Sequence, residues 1–147
     1  MSDPNAQRIL VVDDDQDVLL SAQVILKAAF PAVRCLSNPG QLKDELPDFY
    51  PDVVLLDMNF TRGMVGGDEG LYWLDFIKQF DPRIQVVMCT AYGEVDLAVQ
   101  AIKLGAADFV QKPWLNEKLV ATVKACARLA QSEREIDRLR TTRQELG

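Results

Sequence analysis

Asp13, Asp14, Asp57 and Thr90 each follow a short apolar run, "ILVV" leading into Asp13 and Asp14, "VVLL" into Asp57 and "VVMC" into Thr90, and Lys112 ends the short stretch "DFVQ". Three carboxylates, a hydroxyl and an ammonium, with no histidine in the chain, restrict the chemistry available. His-based triads, most zinc sites and a phosphohistidine donor are excluded. Carboxylates gathered at neighbouring strand ends repel one another unless a cation neutralises them. Hard oxygen donors without Cys or His select Mg²⁺, with Mn²⁺ as the alternative, and such an ion keeps positions for water and phosphate oxygens. Phosphate is the substrate class that follows. Asp57 is the candidate nucleophile, because an aspartate carboxylate accepts phosphoryl as an acyl phosphate. Phosphoryl transfer then asks for positioning and charge stabilisation, which the Lys112 ammonium and the Thr90 hydroxyl can supply.

These residues converge only if the elements before them are strands of one sheet. "RILVV" from Arg8 is a continuous β-branched and aliphatic run, as expected of a strand covered on both faces. Val18, Leu19, Ala22, Ile25, Leu26 and Ala29 then repeat at helical spacing from Gln16 to Phe30, where Pro31 stops the helix. The alternation continues: "AVRCLS" as strand, "NPGQLKDELPDF" as a helix with Asn38 as cap and Pro39 at its first position, and "DVVLLD" as strand. Next come "LYWLDFIKQF" as helix, "IQVVMCT" as strand, "EVDLAVQAIKLG" as a helix closing on Gly105, "ADFVQK" as strand, and a last helix from about Leu115. Five βα units predict an α/β fold, a doubly wound, flavodoxin-like, five-stranded parallel sheet. In such sheets ligands bind outside the carboxyl ends of the strands, where all five polar residues fall.

These residues also have plainer readings: "DD" as a cap of the following helix, the role expected of Asp15, Thr90 as a turn residue, and a Lys-Pro pair as surface. The joint placement at one sheet edge favours the chemical reading. The rest of the chain sets bounds. A formal net charge of −6 argues against direct nucleic-acid contact, which needs clustered Lys and Arg. Cys35, Cys89 and Cys126 are far apart with no Cys-x-x-Cys pair, the pattern of free thiols in a reducing compartment. The N-terminus "MSDPNAQRIL" lacks a signal-peptide pattern and no run reaches membrane-spanning length. A cytoplasmic location without membrane contact is expected.

"ILVVDDD", "VVLLD", "VMCTAYG" and "GAADFVQKP" resemble, in order and spacing over about residues 7–126, the receiver domain of bacterial two-component response regulators. The resemblance implies strand order 2-1-3-4-5 and a phosphoacceptor role for Asp57, charged by a sensor histidine kinase. It makes Asp13 and Asp14 the acid pair of a Mg²⁺ site, with Asp14 a direct ligand, and adds Asp57 and the backbone carbonyl of Asn59. Lys112 would contact the phosphoryl group, Thr90 and Phe109 would be the switch pair, and Ala91 would be the small residue that leaves the site open. The Lys112–Pro113 bond would be cis. Phe109 without the resemblance is simply a core aromatic. Such a protein catalyses only its own phosphorylation and dephosphorylation and is not otherwise an enzyme. The segment "TAYGEVDLAVQAIKLGAADFVQKPW" looks most like nitrogen-regulation-type receivers, which precede a sigma-54-activating ATPase and a DNA-binding domain. No G-x-x-x-x-G-K-[ST] loop occurs here, so an output domain is expected outside this chain, a stand-alone receiver being the alternative.

Three features lie outside that pattern or compete with it. The stretch after Asp57, "MNFTRGMVGGDEG", has Phe60-Thr61 where the family has Met-Pro and is about five residues longer. Its Gly63, Gly66, Gly67 and Gly70 suggest flexibility, and Asp68 and Glu69 either approach the metal or cap the next helix. "DMNFT" also resembles the nucleophile motif of haloacid-dehalogenase-type phosphohydrolases, but Asn59 stands where that chemistry needs a second acid. An interaction module without phosphorylation is the third reading; the cost of holding Asp14, Asp57, Thr90 and Lys112 together argues against it.

The organisation expected is a disordered segment 1–6, a receiver domain over 7–126, and a helical linker over 127–147. In the linker, Leu129, Ile136, Leu139 and Leu146 fall on heptad a and d positions, with Arg128 and Glu135 at g and Glu133 and Arg140 at e. Opposite charges would meet across a parallel homodimer, although Ser132 and Arg143 occupy the other core slots. A solvated helix end is the plainer reading. The face of the fourth helix, fifth strand and fifth helix is the second candidate for dimerisation or output.

Overall fold

The apolar runs form β1 (Arg8–Val12), β2 (Ala32–Leu36), β3 (Val53–Asp57), β4 (Gln85–Ala91) and β5 (Asp108–Lys112). The structure is a computed structural model that describes residues 7–58 and 68–146. All neighbouring strands pair parallel, in the order β2-β1-β3-β4-β5. Each crossover carries a helix: α1 (Gln16–Lys27), α2 (Leu42–Phe49), α3 (Asp68–Phe80), α4 (Val95–Lys103) and, after β5, α5 (Asn116–Leu146). Expected segments 1–6 and most of the loop between Met58 and Gly70 lie outside the described residues.

Alternate strand residues face opposite sides, so the strands feed two cores. Leu10, Val12, Leu56 and Met88 pack with α2 and α3 through Leu42, Leu46, Leu74 and Ile77. Ile9, Val11, Leu55 and Val87 pack with α1 and α5 through Leu19, Leu26, Leu119 and Val123. Every residue of β3 is buried, as a central parallel strand requires.

Local chemistry sets most element ends. Asp15 caps α1, its side chain accepting from the backbone N–H of Asp17 at 2.9 Å. The helix ends at Lys27, short of Phe30, because Pro31 disfavours the helical region for the residue before it and Phe30 is drawn into the core. Asn38 caps as expected, but Pro39–Gln41 form a 3₁₀ turn and α2 begins at Leu42. Tyr50 closes α2 in the left-handed region, φ 51°. Gly105, at φ 113°, follows α4, the expected C-terminal glycine.

α5 runs unbroken for 31 residues. Its packing against the body continues past residue 126, since Ala127 and Ala130 are fully buried. Leu129, Ile136 and Leu139 are exposed. Among the described residues no helix is long and apolar enough to cross a membrane, and the three cysteines are free.

Candidate functional site

Strand register delivers the acids to one edge. Val12 pairs with Leu56, and Asp57 pairs with Cys89, so Asp13 and Asp57 emerge level on adjacent strands. Asp14 follows at the surface, while Asp13 and Asp57 are buried. One carboxylate oxygen from each of Asp13, Asp14 and Asp57 lies within 4.8 Å of the others. That donor set is all oxygen and three carboxylates strong, which fits Mg²⁺ or Mn²⁺ and not zinc.

Lys112 reaches into this cluster from the end of β5. Its Nζ donates to Asp13 Oδ2 at 2.6 Å and to Asp57 Oδ1 at 3.1 Å. Burial alone would discharge the ammonium, but the Asp13 and Asp57 carboxylates overrule it and hold the Lys112 pKa above its ordinary value. The following Lys112–Pro113 peptide is cis. Asp13 Oδ1 accepts the Asp15 N–H at 2.9 Å, which orients the carboxylate at the entry to α1. Desolvation, reinforced by the neighbouring Asp13, raises the Asp14 carboxyl above its usual range. Cys89, next to Asp57 across the β3–β4 ladder, is driven up by complete burial and stays a thiol, so it is no rival nucleophile.

Thr90 is buried at the same edge, and its hydroxyl donates to the Val110 carbonyl at 3.4 Å. Phe109 is half-buried against the core that contains Met88 and Ala101. Ala91 is exposed, and its N–H donates to Glu94 Oε1 at 3.1 Å in the turn that opens α4. Asp13, Asp14, Asp57 and Lys112 therefore meet in space, and Thr90 lies one strand from them. Asn59, with Phe60 and Thr61, lies outside the described residues. Asp68 and Glu69 fall in the first turn of α3, where the helix dipole favours the Glu69 carboxylate.

Gly70 has a role that composition alone does not convey. A Cβ there would stand 2.5 Å from the Met58 carbonyl oxygen and 2.8 Å from Met58 Cα. Close approach, not flexibility, is what requires glycine at this position, since α3 starts directly against the backbone that leaves Asp57. The signal available in the sequence was spacing: the stretch from Asp57 to this glycine is about five residues longer than the pattern it otherwise resembles.

The geometry is a cluster of three carboxylates able to hold a hard cation at a strand end, with the Lys112 ammonium bridging two of the acids. The sequence model described as the response regulator receiver domain matches residues 9–124. Chemotaxis protein CheY of Bacillus subtilis is 29% identical over 119 residues, covering 80% of this chain and 95% of that protein. The nitrogen assimilation regulatory protein NtrX of Azorhizobium caulinodans is 32% identical over 136 residues, covering 92% of this chain but 29% of its own. This chain thus spans less than a third of that relative. The crystal structure of an N-terminal signal receiver domain from Bacteroides fragilis is similar at 47% identity and a TM-score of 0.76, covering 83% of this chain and 97% of that one. NtrX from Brucella abortus in complex with ATP is similar at 31% identity and a TM-score of 0.81, covering 91% of this chain and 30% of that one.

Proposed function

The chain belongs to the response regulator receiver domain family, and from that premise we propose that Asp57 is its phosphoacceptor and that Asp13, Asp14 and Asp57 hold Mg²⁺ or Mn²⁺. Receiver domains are signalling modules and not enzymes in the usual sense. The observation that carries the reading is the Lys112 ammonium held between Asp13 and Asp57 beside Asp14. An Asp57 carboxylate oxygen attacks the phosphorus of a phosphohistidine on a sensor kinase. The O–P bond forms, the N–P bond breaks, and the imidazole departs. A divalent cation bound among the three acids would offset the charge on the transferring oxygens. Lys112 turns from its carboxylate partners toward one phosphoryl oxygen, and Asp13 keeps its hold on the entry to α1. The backbone carbonyl of Asn59 completes the proposed ligand set.

Thr90 and Phe109 are the proposed responders. The hydroxyl of Thr90 exchanges its long hydrogen bond to Val110 for a phosphoryl oxygen, and Phe109 moves into the space released. The α4–β5–α5 face carries exposed Val95, Val99, Ile102 and Leu104, and it would pass the change to a dimer partner or output domain. Similarity to regulators of nitrogen assimilation and transcription supports control of transcription in the cytoplasm as the output, through a domain outside this chain.

Intact-mass spectrometry after incubation with acetyl phosphate and Mg²⁺ tests this. The wild type gains one phosphoryl mass and Asp57→Asn gains none; phosphorylation of Asp57→Asn to the same extent would refute the assignment.

A further inference from the structure

At the edge of the sheet opposite Asp57, the Asp52 carboxylate is 1% exposed and takes no part in the site above. It stands immediately before β3 and ties three strand starts together. Its Oδ2 accepts the Arg8 N–H at 2.7 Å, its own N–H donates to the Arg8 carbonyl at 2.8 Å, and its carbonyl accepts the Gln85 N–H at 2.9 Å. A carboxylate this deep requires a cation. The cation comes from α5: the Arg134 guanidinium pairs with Asp52 Oδ1.

The contacts on either side of Arg134 reinforce the pair. Glu133 accepts from Gln85 Nε2 at 3.3 Å, and Asp137 stands 3.6 Å from Arg83 Nη1. Arg83 is itself anchored, its guanidinium donating to buried Asp81 at 2.8 and 3.0 Å. Tyr50 donates its hydroxyl to the same carboxylate. Ala127 and Ala130, fully buried, lead the helix into this junction.

We propose that Asp52 and Arg134 form a latch that locks residues 127–137 of α5 to the starts of β1, β3 and β4, making this stretch a rigid extension of the domain. The direction of anything carried beyond the helix is then set by the sheet. With 3.6 residues per turn, Ala127, Ala130, Arg134 and Asp137 share one side of the helix, and Leu129, Ile136 and Leu139 fall on the other. A second helix can cover the apolar stripe without disturbing the latch. Glu133, which the heptad assigns to an interchain e position, is engaged within its own chain. The latch does not rest on the phosphoacceptor reading of Asp57.

Hydrogen exchange of the full chain, read on peptides covering 127–140, tests the latch. Arg134→Met should speed exchange there by at least about tenfold, because removing one partner of a buried ion pair leaves the other charge uncompensated. Adding Asp52→Asn should restore the urea midpoint, because no buried charge is stranded, while 127–140 stays fast. Exchange at the wild-type rate in both variants would overturn the latch. If Arg134→Met does not fold, wild-type protein decides: limited trypsin should cut after Arg134 at least about tenfold more slowly than after Arg140, because the buried ion pair holds that turn closed. Equal rates at the two bonds would overturn the proposal.

Discussion

Gly70, at the start of α3, lies so close to Met58 that any Cβ would fall 2.5 Å from the Met58 carbonyl oxygen. The residue next to the proposed phosphoacceptor is therefore held from behind by helix backbone. Gly70→Ala must push α3 away or displace the end of β3. The expected cost is about 1–3 kcal/mol, the range for an added methyl in a packed region. Urea unfolding should show a lower midpoint with an unchanged slope, and phosphoryl uptake from acetyl phosphate should slow. An unchanged midpoint would mean that α3 yields freely.

Lys112 competes with any metal for the same carboxylate oxygens, since it already bonds Asp13 and Asp57. Lys112→Met should therefore tighten Mg²⁺ binding by a factor on the order of ten, the worth of one hydrogen bond to a charged group. The same change should slow phosphoryl uptake. Calorimetric titration with Mg²⁺ separates the two effects, and weaker binding in the variant would contradict the competition.

Thr90→Val keeps the shape of a buried side chain and removes its hydroxyl. The bond lost is long, 3.4 Å to Val110, so stability should change by less than about 1 kcal/mol. Phosphorylation should proceed, while the accompanying change in hydrogen exchange over β5 should disappear. A variant that still shows the full change would remove Thr90 from the switch.

Asp81 supplies a pH dependence remote from the metal site. Burial opposes its ionisation, but hydrogen bonds from Arg83 and Tyr50 outweigh that and bring its pKa from 3.8 down to about 2. A depressed carboxyl stabilises the fold fully above its unfolded value. That contribution fades as pH falls from about 3.8 to about 2. Asp81→Asn should be less stable than wild type at neutral pH, with the difference shrinking across this window in urea titrations. A difference that stays constant over the window would exclude Asp81 as its source.

The exposed stripe of Leu129, Ile136 and Leu139 gives the homodimer a test that spares the domain. Cutting the chain after Arg128 would also remove Arg134 and strand the buried Asp52 carboxylate. Replacing Ile136 and Leu139 together by lysine changes only the outward side of α5. Any dimer built on this stripe should then become monomeric by light scattering, with stability within ±0.5 kcal/mol of wild type, as for ordinary surface changes. Dimers that persist would shift the assignment to the α4–β5–α5 face.

Strand and helix identity was legible because it is written in local periodicity. "VVLL" reads as a central strand whatever surrounds it, and Asp15, Asn38 and Gly105 mark ends through their own backbone chemistry. The carboxyl-edge placement of Asp13, Asp57, Thr90 and Lys112 followed from that pattern and from the parallel sheet it implies. Tertiary structure alone decided which side chains touch. Lys112 and Asp13 are 99 residues apart, and their contact depends on four strands keeping register. Gly70 against Met58 depends on how closely one helix approaches a strand end. Asp52 and Arg134 show the same limit, because an aspartate before a strand and an arginine in a charged helix each look solvated in isolation. Burial makes them partners, and burial is a property of the packed whole.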